Sequence, residues 1–358
     1  MTGNNKKAYA NLKASPHNLG IMTDKYLPAP IGTILSRFYG GIVKLRQFAY
    51  ETRLLKAEAL PCFTISIGNI TVGGTGKTPL TLYMARQLTA WGYQVVILSR
   101  GYKGTAEHSG GMVTDGHHIF MDAVHAGDEP YLMACDLKGV PIFVGKNRVE
   151  NGRLAIDKFH PDVILLDDGF QHIKLHRHLN IVLLDAAAPF GNTHLLPCGT
   201  LREPISNLSR GDLFVFTRSE QVDDVTKTSI QAKLSSIAPG RPVFLADHKP
   251  YIKRVILPGA QRDTSGNSDT VYKNIFLKNK SAVIFSGIAN NQAFETSVRH
   301  FGCVPVKVFS YNDHQKYTQS HLDDIKNAAL KENAELIITT EKDVVKLAGR
   351  HDFPLPLV

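Results

Sequence analysis

Hydrophobic positions along this chain follow two spacings, which predict two kinds of element. Short runs rich in β-branched residues alternate with stretches of helical spacing through most of the chain. The predicted strands are 63–67, 95–98, 141–144, 163–166, 181–184, 213–216, 243–246, 282–285, 306–309 and 336–339. Such alternation is typical of a parallel sheet covered by helices on both faces, so the predicted fold class is α/β.

Ten strands exceed an ordinary single sheet, which predicts two α/β units. The predicted organisation is a polar extension (1–27), an amphipathic helix (28–60), a first α/β domain (61–180) and a second one (181–350). The strand pattern leaves the boundary between the two domains open from 180 to 240. The polar stretch 261–269, with Ser and Gly, predicts a surface loop.

The segment 31–55 has apolar residues three and four positions apart, with basic residues between them. This spacing predicts an amphipathic helix that is broken or kinked at Gly40 and Gly41. The helix either packs on the protein's own core or lies in a bilayer interface, where its basic residues meet anionic head groups. The apolar run is too short and too charged to predict a membrane span.

Composition indicates a folded protein whose basic N-terminal part either meets an anionic partner, nucleic acid or phospholipid, or is simply a solvated basic face. The 358 residues are 43% hydrophobic and 20% charged, which argues against general disorder. Residues 1–60 hold nine basic and three acidic residues, and so carry six of the nine net positive charges. No nucleic-acid-binding motif is recognised, which favours phospholipid as the partner. Four widely spaced cysteines predict neither disulfides nor a zinc site, and the polar first 25 residues do not predict a signal peptide.

A glycine-rich stretch, TVGGTGKT, follows the first predicted strand and precedes a helical run. Backbone N–H groups of such a loop surround phosphate oxygens, and the helix start adds its positive end. Lys77 would reach the β- and γ-phosphates, and the Thr78 hydroxyl would bind magnesium. The predicted nucleotide-binding residues are Thr71, Val72, Gly73, Gly74, Thr75, Gly76, Lys77 and Thr78. Thr71 stands where the P-loop pattern has its first glycine, and a purely structural glycine turn is the alternative.

Two adjacent carboxylates, Asp167 and Asp168, follow the apolar strand 163–166. A carboxylate at a strand end holds magnesium beside the nucleotide in P-loop sites, directly or through water. We predict this role for Asp167 first, with Asp168 supporting it; capping of the next turn is the alternative. The predicted cofactors are therefore ATP and Mg²⁺.

Phosphoryl transfer to an alcohol also needs a base near the acceptor and cations near the transferred group. Asp128 in GDEP and Arg148 in GKNR follow predicted strands, at the edge where open α/β sheets bind ligands. Asp313 and His314 form a further pair. Taken alone, each of these residues could equally be a loop carboxylate, a surface cation or a structural histidine.

The motifs SIGN, VGGTGKTP, SRGY, GDEP, DDGFQH, LREP and TEKD together resemble those of the tetraacyldisaccharide 4'-kinases of lipid A biosynthesis, over roughly residues 28–350. The resemblance implies a P-loop domain, a second α/β domain and a nucleotide in the cleft between them. It implies transfer of the ATP γ-phosphate to the 4'-hydroxyl of tetraacyldisaccharide 1-phosphate, which gives lipid IVA. The family's catalytic residues fall on Asp128, His314 and Arg148, and its metal-binding carboxylates fall on Asp167 and Asp168.

The resemblance also implies a location, because an acylated disaccharide is held in a bilayer. It implies that segment 31–55 meets the cytoplasmic face of the bacterial inner membrane. The expected partners are this lipid and the membrane surface, without nucleic acid or an obligate protein partner. A GTP-binding switch and a membrane-positioned partitioning ATPase are the alternatives. TEKD lacks the asparagine of the guanine-reading motif, and Thr71 or Val72 stands where such an ATPase has an additional lysine.

Overall fold

The computed structural model describes residues 31–259, 274–347 and 352–358. The extension predicted for 1–27 and the loop predicted for 261–269 lie outside these residues. The strands are β1 (Phe63–Gly68), β2 (Val95–Ser99), β3 (Gly111–Thr114), β4 (Ile142–Val144), β5 (Val163–Asp167), β6 (Leu179–Asp185), β7 (Leu213–Thr217), β8 (Val243–Ala246), β9 (Ser281–Ser286), β10 (Val304–Ser310) and β11 (Leu336–Ile338). The helices are α1 (Ile31–Glu51), α2 (Lys77–Ala90), α3 (Ala106–Ser109), α4 (Ala123–Ala126), α5 (Asp128–Asp136), α6 (Arg148–Phe159), α7 (Asp224–Ile237), α8 (Asn291–His300), α9 (Gln319–Lys331) and α10 (Glu341–Val344). All ten predicted strands are present, and β3 is an additional one.

Eight strands form one sheet, in the order β3-β4-β2-β5-β1-β6-β7-β8. Every neighbouring pair is parallel except β3 and β4. Three further parallel strands form a small sheet in the order β10-β9-β11. The α/β fold predicted from the alternation of strands and helices is confirmed.

The sheet topology bears on the predicted domain boundary. Strands β6, β7 and β8 hydrogen bond into the same sheet as β1, so a boundary near residue 180 would cut through that sheet. We propose instead a large-sheet unit (residues 63–246) and a small-sheet unit (residues 281–347).

Both faces of the large sheet are buried, because successive residues of a strand point to opposite faces. Val95 and Ile97 of β2 pack in one core with residues of α2 and α5. Val96 and Leu98 of the same strand pack in a second core with residues of α6. Near β6 and β7, this second face is covered by α7. Helices therefore cover both faces, and the loops at the carboxyl ends of the parallel strands are left to build a site.

Helix α1 is continuous from Ile31 to Glu51, so the predicted break at Gly40 and Gly41 is absent. The buried residues of α1 are small ones four positions apart: Gly32, Ser36 and Gly40. The Ser36 hydroxyl donates to the carbonyl of Leu195 (2.8 Å), and a Cβ on Gly40 would lie 2.7 Å from the Leu195 side chain. The large apolar side chains of α1 face away from the protein, and Phe38 is 70% exposed.

Gly68 at the end of β1 provides a test of how tightly the site is built. A Cβ there would lie 2.6 Å from the Cβ of Phe170 and 2.7 Å from its backbone nitrogen. We expect Gly68→Ala to lower the free energy of unfolding by about 2 kcal/mol, because neither atom can move without shifting backbone. Gly41→Ala is the control, since nothing lies within 4 Å of its Cβ position. Chemical denaturation would show the contrast; equal stability of the two variants would contradict it.

Candidate active site

The glycine-rich loop forms the turn from β1 into α2, as predicted. Gly73 and Gly76 have φ angles of 110° and 85°, a region that favours glycine, and Gly76 is the residue before the first turn of α2. The buried amide of Asn69 donates to the Thr75 hydroxyl (2.8 Å) and so ties the loop to the end of β1. Lys77 begins α2, so its side chain and the free N–H groups of the helix start converge on one place.

The departure from the P-loop pattern at Thr71 has a structural explanation. Thr71 is not among the residues with positive φ, so the position does not require glycine. It is buried and forms an antiparallel bridge with Leu201, and the next residue, Val72, donates its N–H to the carbonyl of Thr200 (2.8 Å). The loop that contains Thr200 and Leu201 therefore supports the start of the glycine-rich turn.

Strand pairing places the two carboxylates beside this turn. Asp167 ends β5 and is paired in register with Ile67 of β1. Its side chain accepts hydrogen bonds from the hydroxyls of Thr81 and Ser99 (both 3.2 Å), so the first turns of α2 and the end of β2 orient it. Asp168 has a φ of 48°, and its Oδ1 lies 3.7 Å from Nζ of Lys77.

The two carboxylates have opposite pKa shifts. Complete burial raises the pKa of Asp167, and the nearby charges of Glu129 and Asp168 add to this shift. Burial would also raise the pKa of Asp168, but Lys77 and Arg202 outweigh it and hold that pKa below its usual range. Arg202 donates to Oδ2 of Asp168 at 2.7 Å. The pair therefore contains one ionised carboxylate, Asp168, and one, Asp167, whose ionised form an added cation would stabilise most.

Arg148 contacts the backbone of this pair. Its guanidinium donates to the backbone carbonyls of Asp167 (2.9 Å) and Asp168 (3.1 Å), and its side chain is buried. Burial lowers its pKa, while the two neighbouring aspartates raise it. The predicted active-site arginine thus contacts the loop that carries the carboxylates.

Asp128 and His314 meet although 186 residues separate them in sequence. Nδ1 of His314 lies 2.9 Å from Oδ2 of Asp128. Asp128 begins α5 in the large-sheet unit, whereas His314 follows β10 in the small-sheet unit. Their side chains are only 16% and 15% exposed. The pair predicted from the resemblance is therefore formed across the two units.

One cleft is lined by residues of both units. Its lining includes Lys77, Asp168 and Arg202 from the large-sheet unit and His314 from the small-sheet unit. Tyr39 of α1 lines the same cleft, and its hydroxyl donates to the carbonyl of Arg202 (2.7 Å).

Sequence reasoning did not single out Arg218, which donates to the carbonyl of Gly74 and to Asp185. Its place directly after β7, at the sheet edge that carries the other site loops, was the available signal. Gln171 and Arg202 lie in the DDGFQH and LREP motifs. Gln171 donates to the carbonyl of Asn69 (2.7 Å), next to the glycine-rich turn.

A largely parallel sheet whose central strand leads into a P-loop, with carboxylates on the neighbouring strand and an Asp–His pair whose histidine lines the same cleft, defines a P-loop kinase. The family model described as tetraacyldisaccharide-1-P 4'-kinase matches residues 29–356. The chain therefore belongs to the tetraacyldisaccharide-1-P 4'-kinase family.

Relatives agree with this assignment. The tetraacyldisaccharide 4'-kinases of Desulfatibacillum aliphaticivorans and Pelobacter propionicus are each 40% identical to this chain, over 88% of it. The matches cover 83% and 82% of those relatives. The structure is also similar to the crystal structure of the "apo" form LpxK from Aquifex aeolicus in complex with ATP, with a TM-score of 0.66 and 31% identity over 91% of each chain.

Proposed function

We propose that this kinase transfers the γ-phosphate of ATP to the 4'-hydroxyl of tetraacyldisaccharide 1-phosphate, the step of lipid A biosynthesis that gives lipid IVA. The observation that carries the proposal is the Asp128–His314 pair, whose side chains meet at 2.9 Å and whose histidine lines the same cleft as the P-loop. A carboxylate oriented by histidine suits removal of a proton from an alcohol. Family membership supplies the acceptor.

In this proposal each group has a defined task. Lys77 and the N–H groups at the start of α2 bind the β- and γ-phosphates and stabilise the charge that spreads over the transferred group. His314 occupies Oδ2 of Asp128, so Oδ1 is the oxygen that meets the acceptor hydroxyl. Arg148 positions the loop that carries Asp167 and Asp168 by donating to the backbone carbonyls of both residues.

The residues present fit Mg²⁺. Within the described residues no group of three metal-ligating side chains occurs, but Mg²⁺ in kinases takes one or two carboxylates together with phosphate and water. The buried Oδ1 of Asp168 has no hydrogen-bond donor, which suits a cation nearby. Thr78, Asp167 and Asp168 would hold the ion, which would neutralise charge on the β- and γ-phosphates.

The direct test is transfer of label from [γ-³²P]ATP to the acylated glucosamine disaccharide 1-phosphate, followed by thin-layer separation of the lipids. The 4'-deoxy analogue is the matched control, because it lacks only the proposed acceptor. We expect labelled product from the natural acceptor alone. Labelling of the deoxy analogue, or of neither lipid, would contradict the proposal.

We further propose that α1 rests in the bilayer that holds this substrate. Among the described residues, none of the helices combines the length and apolarity needed to cross a membrane. Ile34, Phe38 and Leu45 lie on one face of α1 and are 64 to 70% exposed. Arg37 and Lys44 lie beside this face. An exposed apolar face with flanking cations is typical of an interfacial helix.

Phe38→Ser combined with Leu45→Ser tests this orientation. We expect binding to anionic phosphatidylglycerol vesicles to weaken about 100-fold, because each side chain contributes about 1.5 kcal/mol or more on leaving water. Leu330→Ser, at a leucine of α9 that is 59% exposed, is the control. Cosedimentation measures the effect, and equal binding by both variants would argue against a membrane role for α1.

A further inference from the structure

A buried lysine of the small-sheet unit faces the proposed catalytic base. Nζ of Lys346 lies 3.7 Å from Oδ2 of Asp128, and its side chain is only 6% exposed. The same ammonium group lies 3.0 Å from Oδ1 of Asp343 and donates to the carbonyl of Gly287 at 3.1 Å. Lys346 therefore presents a desolvated positive charge to Asp128 from a position that two other groups define.

Asp343, the last residue of the TEKD motif, organises this position. It is fully buried and accepts hydrogen bonds from the hydroxyls of Tyr317 (3.0 Å) and Thr340 (2.6 Å). It also accepts the backbone N–H of Gly287 (3.0 Å). Lys346 therefore lies between two carboxylates, 3.0 Å from that of Asp343 and 3.7 Å from that of Asp128, and its charge acts on both.

We infer that Lys346 is a positioning residue for phosphoryl transfer. Anchored by Asp343, it keeps Asp128 ionised. Lys346 and His314 contact the same carboxylate oxygen of Asp128, which leaves the other oxygen for the acceptor. This inference rests on the proposed role of Asp128 as the base. It assigns a task to the TEKD motif, and it gives the small-sheet unit two contributions to the base instead of one.

The electrostatics around Asp128 agree with the geometry. The titratable groups that face it are Glu129 on α5, Asp313 and His314 after β10, Tyr317 just before α9, Lys342 and Asp343 on α10, and Lys346 just after α10. Burial raises the pKa of Asp128, but the hydrogen bond with His314 and the charge of Lys346 outweigh it and keep this pKa below its usual value. Lys342 contributes less, since its own partners are Asp313 (3.2 Å) and Glu129 (3.8 Å).

Lys346→Met removes the charge and keeps an unbranched side chain. Without this charge the pKa of Asp128 rises, so the ionised base is depleted first at low pH. We expect the wild-type/variant ratio of kcat/KM to be largest below both Asp128 pKa values and to fall towards one as the pH rises above them, by at most about tenfold per pH unit. Carboxyl ¹³C NMR of labelled aspartate, assigned by difference with Asp128→Asn, should show the Asp128 titration at higher pH in Lys346→Met.

A second variant separates loss of charge from loss of shape. Lys346→Cys treated with 2-bromoethylamine regains an ammonium group at nearly the same distance from the backbone, and should recover most of the lost rate. Wild-type protein treated in parallel corrects for its four native cysteines. Lys342→Met controls for loss of a neighbouring lysine, and should shift the Asp128 titration less than Lys346→Met.

Two results would overturn the inference: the same loss at every pH in Lys346→Met, with an unchanged Asp128 titration, or no recovery after mass spectrometry has shown that aminoethylation of Lys346→Cys is complete. Either would indicate that Lys346 serves only to pack and neutralise Asp343. Failure of the underlying function would look different, because Asp128→Asn would then turn over normally. The two failures can therefore be told apart in one set of assays.

Discussion

Replacing Asp128 with asparagine is expected to lower kcat by about 10³-fold, because the amide cannot take the proton of the acceptor hydroxyl. Asparagine keeps the size of the side chain and its place at the start of α5. Nucleotide binding should persist, since the phosphates are held by the P-loop and α2. Steady-state kinetics with the acylated disaccharide, together with calorimetric titration of ATP, would measure both properties.

Asp157→Asn is the matched control for this variant, because Asp157 is exposed on α6 and far from the cleft lining. Its turnover should equal that of the wild type. If Asp128→Asn also kept most of its activity, Asp128 would not be the base, and the pairing with His314 would have to be explained structurally.

Replacing Lys77 with alanine should damage both binding and turnover, with a loss of about 10²- to 10³-fold in kcat/KM. Lys77 is the side chain at the helix start that reaches the phosphates, and it also balances the charge of Asp168 at 3.7 Å. Its removal therefore leaves the Asp168 carboxylate without one of its three neighbouring cations, Lys77, Arg202 and Arg148. Lys331→Ala, at the exposed end of α9, is the control.

ATP titration and lipid phosphorylation should both deteriorate in Lys77→Ala, in contrast to the selective loss expected for Asp128→Asn. A variant that bound ATP normally would show that the phosphates lie elsewhere. The two variants together separate the nucleotide half of the cleft from the acceptor half.

The strands could be predicted because β-branched runs mark buried parallel strands. Their assignment to sheets could not, since a strand's own sequence does not state its neighbours. The domain boundary was therefore predicted near residue 180 and left open up to 240, although strands β6 to β8 extend the first sheet. Strand β3 was missed because Gly111–Thr114 is a four-residue edge strand with no long apolar run.

The periodicity of α1 showed an apolar face but not what would cover it. The structure shows that the contact with the protein is made by small residues, and that the larger ones remain outside. The predicted break is absent, and Gly40 allows α1 to approach Leu195 closely.

The site divides in a similar way. The glycine-rich turn and the carboxylates of β5 were predictable, because one local motif and one strand end define them. The Asp128–His314 contact was expected only through the resemblance, since nothing local connects two residues so far apart in sequence. Lys346 gave no signal, because a single lysine after a short helix is ordinary until its neighbours in space are known.

Contact between α1 and the loop that precedes Arg202 matters for inhibitor discovery. A shortened enzyme that starts after Glu51 would be the convenient choice for screening, because its most exposed apolar helix is gone. It would also lose Ser36 and Tyr39, which hydrogen bond to Leu195 and to the carbonyl of Arg202, and Arg202 holds Asp168. Compounds ranked on such a soluble fragment would be selected against a loosened nucleotide pocket, and their order of potency should change on the intact enzyme.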